Sequence, residues 1–169
     1  MCMKNININA VLCDIVSNED NSNISLGNVT GKKLYITEKN NDRFFSQIGL
    51  AVFVAATETK KEEQLQKIDP DFIFSFKEKY EVRIRLTETI SGEFKDLGEI
   101  ILNPVSSHMA EGLCKKSFNY SQYCLYSDVI LPSVKEREKF VIKLVIRRVL
   151  QDRKQDDGWI VQTIIPLNY

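Results

Sequence analysis

The chain is poor in the residues that carry most enzyme chemistry: 169 residues contain one histidine and four cysteines. Zinc sites are built from clustered Cys and His, and here His108, Cys114 and Cys124 show no Cys-x-x-Cys spacing. His108 and Cys114 could form a thiol–imidazole pair for nucleophilic catalysis, yet no local signature supports one, and they read as loop residues. A P-loop is also missing. Gly31-Lys32-Lys33 lacks the upstream glycine and the following Ser or Thr, and it lies between strand-like runs. No apolar run approaches the roughly 18 residues of a membrane-crossing helix. Net charge is absent too, since Lys plus Arg and Asp plus Glu number 23 each. Without a whole-chain field, nothing steers the protein as a body toward nucleic acid or an anionic membrane. Met1 to Asn7 has neither an apolar signal core nor a small-residue cleavage site, so the expectation is a cytoplasmic protein with reduced thiols. No internal repeat and no low-complexity linker interrupts the sequence, which at this length predicts a single domain over residues 1–169.

What the chain has is alternation. Between Glu138 and Pro166, Phe140, Ile142, Leu144 and Ile146 recur at period two, with Val141, Lys143, Val145 and Arg147 on the opposite face. Trp159 to Pro166 is nearly all β-branched or aromatic, and the intervening charged segment ends in Asp157-Gly158, a strong turn signal. Upstream, Ile6 to Val16 predicts a first strand that becomes apolar on both faces except at Asp14. Ser17 to Asn23 reads as a polar turn and Ile24 to Val29 as resumed alternation, together an N-terminal hairpin or meander. Lys33 to Thr37 reads as a short strand, Asn40-Asn41-Asp42 as a turn, and Phe44 to Ala56 as a long buried strand. Thr57 to Ile68, with Thr59 and Glu62 as a capping box, predicts a short surface helix, with a charged loop as the alternative. The apolar run Phe72 to Phe76 precedes Tyr80 to Thr87, a half-buried strand with Tyr80, Val82, Ile84 and Leu86 inward. Leu97 to Asn103 is a strand stopped by Pro104, Val105 to Lys116 a connection, and Phe118 to Leu131 a strand ended by Pro132. Arg148 falls on the apolar face of its strand and predicts a bulge or the strand's end there. Eight to ten short strands with turns between them and at most one or two short helices make an all-β, mainly antiparallel β-sandwich.

Two stretches carry a resemblance: Asn9 to Asp14 through Ile24 to Val29, and the C-terminal strand pair that follows Leu131-Pro132 and ends near Pro166-Leu167. They resemble an uncharacterised bacterial family of small cytoplasmic β-sandwich domains of unknown function. The long Val105 to Tyr126 segment and the charged final turn depart from that family's pattern. The resemblance implies a sandwich fold and no assigned activity, and it carries over no catalytic residue.

Acidic pairs such as Glu19-Asp20 and Asp156-Asp157 fit solvated turns, without the spacing of a calcium loop. Neither a catalytic residue, a metal ligand set nor a cofactor is expected. The feature least like noise is a basic ladder. Arg83 and Arg85 lie on one strand, Lys143 and Arg147 on another, and Arg153 and Lys154 in the last turn. From Lys135 to Lys154 eight basic residues face three acids. If these strands adjoin, a positive stripe results that could hold phosphate, RNA or an acidic partner. The plainer reading is a solvated face whose charges protect strand edges. The leading functional expectation is therefore a non-catalytic protein-interaction module whose partner is another protein, with the Tyr120 to Tyr126 segment as an aromatic contact surface. Nucleic-acid or phosphate binding through the stripe is the second reading, and no membrane association is expected.

Overall fold

In the computed structural model, residues 2–13, 15–20, 23–27, 34–57, 72–104, 117–132, 139–150 and 157–169 are described, with backbone alone for 15–20, 23–27, 117–125 and 127. Among these residues ten strands follow one another: β1 (Ile6–Leu12), β2 (Ile15–Asp20), β3 (Asn23–Gly27), β4 (Ile36–Lys39), β5 (Asp42–Thr57), β6 (Tyr80–Glu88), β7 (Phe94–Leu102), β8 (Ser117–Ile130), β9 (Phe140–Arg148) and β10 (Ile160–Pro166). Among the described residues every strand pairing is antiparallel. They form an all-β sandwich. One sheet is built around β5, which pairs β8 on one edge and both β4 and β1 on the other. The second runs β10-β9-β6-β7, and β2 with β3 makes a separate hairpin. No helix among the described residues is long and apolar enough to cross a membrane.

The core forms where the two sheets present their period-two apolar sets to each other. Ile8, Ile48, Leu50, Val52 and Val54 come from the first sheet; Tyr80, Val82, Ile84, Leu86, Phe140, Ile142, Leu144 and Ile146 come from the second, all of them buried. Aromatic edges lock the layers: Phe45 of β5 meets Phe140 of β9 edge-on, with centroids 6.0 Å apart. The β4–β5 hairpin turns on Asn40 and Asn41, both at positive φ (54° and 69°), as a two-residue turn between the Lys39 and Asp42 partners requires. Gly158, at φ 75°, makes the turn into β10 that Asp157-Gly158 predicts.

One edge of the sandwich is stitched shut. Between Val161 and Thr163 the β9–β10 register slips by one residue, leaving Gln162 as the bulge. Its amide oxygen accepts from the Met3 N–H (3.0 Å), and its amide nitrogen donates to the carbonyls of Met3 (3.1 Å) and Ile6 (2.7 Å). The Thr163 hydroxyl donates to the Ile8 carbonyl. At the opposite edge, Gly98 of β7 lies under the Tyr126 hydroxyl of β8, which stands 2.6 Å from where a Cβ would be.

Several elements differ from the sequence reading. The first strand is two, β1 and β2, and β2 runs through Ser17 to Asp20, where a polar turn was expected; the reversal falls between Asp20 and Asn23. The short strand expected over Lys33 to Thr37 lies at Ile36–Lys39. The apolar run Phe72 to Phe76 makes a single bridge, Ile73 to Lys4, and its Phe74 ring stacks on Tyr80 at 4.6 Å. β6 is buried on both faces except at Arg83, rather than half-buried. Arg148 is the last residue of β9, as its position on the apolar face required. Asp14, the Thr57 to Ile68 helix beyond Thr57, and the Val105 to Lys116 connection with His108 and Cys114 lie outside the described residues.

Candidate functional site

The outward side chains of the β10-β9-β6-β7 sheet fall into rows fixed by register. One row is Arg147 of β9, Glu81 of β6 and Ile101 of β7. The next is Val161, Val145, Arg83 and Glu99, and after it come Ile164, Lys143, Arg85 and Asp96. The last is Pro166, Val141, Thr87 and Phe94. The sheet therefore does bring Arg83, Arg85, Lys143 and Arg147 together on one face, as alternation within each strand predicts. Arg153 and Lys154 lie outside the described residues.

These arginines do not form a bare positive stripe. The Glu81 carboxylate accepts from Arg83 Nε at 2.6 Å and from Arg147 Nε and Nη2 at 3.0 and 2.8 Å. Asp96 accepts from Arg83 Nη1 at 2.6 Å and Arg85 Nε at 2.8 Å. The result is a continuous chain, Arg147–Glu81–Arg83–Asp96–Arg85, in which charge alternates at every step. Side-chain exposure is 8% for Glu81 and 12% for Arg147, so this is a largely enclosed network. Burial raises the Glu81 pKa, but hydrogen bonds and charge from Arg147 and Arg83 outweigh it and hold the carboxyl below its ordinary range. The Asp96 hydrogen bond, with that of Glu81, raises Arg83 above its usual value against a smaller effect of burial.

Trp159, immediately before β10, roofs this chain. Its ring lies 4.3 Å from the Arg147 guanidinium carbon, 4.6 Å from that of Arg85 and 5.4 Å from that of Arg83. Arg85 also stacks on Phe94 at 4.1 Å, so that it is held between two rings. Val145 points to the same face from among these groups and is only 3% exposed. Around the network lie apolar side chains in contact with solvent: Phe94 and Ile101 on β7, Val161 and Ile164 on β10. Sequence reasoning placed the arginines and missed Glu81, Asp96 and Trp159 as their partners. The signal lay in Glu81-Val82-Arg83-Ile84-Arg85, whose acid and bases at every second position share one face.

Among the described residues no group of three or more His, Cys, Asp or Glu side chains is placed to hold a metal ion. Cys13 is fully buried and Cys2 is exposed. The backbone of Tyr120 to Tyr126 is part of β8. Comparison of the chain with models of protein families, with curated proteins and with solved structures found no match.

Proposed function

We propose that the chain is a non-catalytic protein-interaction module, and that the outer face of β10-β9-β6-β7 is its contact surface. One observation carries this reading. Arg83, Arg85 and Arg147 are committed to Glu81, Asp96 and Trp159, so these three present rigidly held groups beside aromatic and aliphatic side chains rather than cations free for phosphate. Trp and Arg fixed in place and rimmed by apolar side chains are the usual composition of binding hot spots, because little conformational entropy remains to be lost on docking. A nucleic-acid binder needs several cations able to displace counterions, and a guanidinium already neutralised by a carboxylate displaces few.

The test is affinity capture from the native cells with tagged protein, with and without nuclease, using the wild type and Ile164→Glu. The reading expects a nuclease-resistant protein partner that Ile164→Glu loses while its circular dichroism is unchanged. Partners that vanish with nuclease, or binding that collapses between low and moderate salt, would instead establish the phosphate-binding reading.

A further inference from the structure

Lys143 stands apart from the other cations of this face. It lies in the third row between Ile164 of β10 and Arg85 of β6, with Val141 and Val145 two residues away along its own strand. Arg85 is held by Asp96 and by two rings. Among the described residues Lys143 has no ion-pair partner, although Glu81, Asp96 and Glu99 are on the same face, because all three point into the arginine chain. The nearest column, β10, carries only Val161, Ile164 and Pro166 outward, all exposed, with Ile164 at 55%. An ammonium is thus set into an aliphatic patch beside an internally neutralised network.

We propose that the β10–β9 half of this face seats a protein surface carrying a carboxylate ringed by aliphatic side chains, with Lys143 as its counter-charge. This rests on the interaction-module reading and adds the chemistry of the partner. Docking such a surface removes water from Lys143 while supplying an ionised acceptor, and a charge-assisted bond formed in a dried patch is stronger than one in solvent. The surrounding Val141, Val161, Ile164 and Pro166 supply the apolar area that a carboxylate alone would not bury. A basic partner would meet Lys143 without compensation. Among the described residues of this face a nucleic acid would find one uncommitted cation where a phosphate backbone demands several, and the Trp159 ring on which a base could stack is already engaged by arginine.

The experiment selects random displayed peptides on the immobilised full chain at physiological salt, then measures an enriched peptide by fluorescence anisotropy. Enrichment of Asp or Glu flanked by Leu, Ile or Val is expected. Lys143→Glu should weaken that peptide at least about tenfold, as loss of a close interfacial charge pair does. A peptide with its acid changed to Lys should regain affinity for K143E. Ile164→Glu should weaken both, and thermal melts confirm that the variants fold. Enrichment of basic peptides, no enrichment over bare support, or affinity indifferent to K143E and I164E would overturn the proposal. Peptides that bind indifferently to these variants would leave the interaction module standing with its seat elsewhere. A failed selection together with nuclease-sensitive partners in the capture experiment would remove both readings.

Discussion

Replacing Glu81 should cost more than its place on a sheet's outer face suggests. The carboxylate accepts three hydrogen bonds from two guanidinium groups and is 8% exposed. Removing one member of a buried ion pair typically costs 3–5 kcal/mol, because the surviving charge stays buried. Here Arg83 retains Asp96 at 2.6 Å, so the loss falls mainly on Arg147, and about 2–4 kcal/mol is expected for Glu81→Ala. With a urea m-value of about 2 kcal/mol/M, the midpoint should fall by about 1–2 M. Trp159 is the only tryptophan and lies 4.3 Å from Arg147, so its fluorescence reports both global unfolding and local loosening of the network. Glu81→Gln keeps the shape and one acceptor and should cost about half as much. The pH dependence has a definite sign. Glu81 titrates below its unfolded value, so its contribution is complete above about pH 4.3 and is lost as pH falls through the folded-state value. The gap between wild type and E81Q should accordingly narrow on acidification. A cost for E81A below about 0.5 kcal/mol, typical of an exposed pair, would refute the view of this network as enclosed. So would a gap to E81Q that stays constant as acid is added.

Glu88, 1% exposed, accepts the backbone N–H groups of Ile90 and Ser91 in the β6–β7 turn, and Glu88→Ala should lower stability by about 2 kcal/mol in denaturant titration. Gly98→Ala sets a methyl 2.6 Å from the Tyr126 hydroxyl and should cost about 1–3 kcal/mol; a cycle with Tyr126→Phe should show that cost reduced, and strict additivity would contradict the contact. Asn41, at φ 69°, should accept glycine with no loss of thermal stability, whereas Asn41→Val should cost about 1–2 kcal/mol; equal melting points for the two would argue against the turn geometry.

Local alternation made most of the fold legible. Phe140, Ile142, Leu144 and Ile146 are each at most 1% exposed, as period two over nine residues of β9 demands. The long apolar run from Phe44 is one strand, β5, because β-branched residues and a length shared among three partner strands favour the pleat. Which side each arginine takes was also readable. Whether water reaches it was not, because that depends on register: Asp96 meets Arg85 only through the β6–β7 alignment and its bulge between Ile84 and Arg85. Trp159 was legible as the aromatic first residue of the last strand run, but its reach across three arginines is a tertiary property. Ser17 to Asp20 misled for the opposite reason. Ser17-Asn18-Glu19-Asp20 contains no apolar residue, so the strand, paired among the described residues with β3 alone, looks like a turn in the sequence. Phe72 to Phe76 is apolar without a strand ladder because aromatic residues bury themselves by stacking, as Phe74 does on Tyr80.

The Gln162 bulge also sets an order in time. Its bonds to Met3 and Ile6 join residues 159 and 156 positions apart, and Thr163 reaches Ile8 across 155. A chain made at about 5–20 residues per second needs about 8–30 s to travel that distance. Met3 and Ile6 therefore leave the ribosome long before the amide that holds them exists. Hairpins such as β4–β5 and β6–β7 can form meanwhile from neighbouring residues, whereas the contacts of Gln162 and Thr163 must wait for the C-terminal strand. During that interval the first sheet exposes the edge that β10 later covers, which makes synthesis rather than the finished fold the moment at which this protein is most open to mispairing.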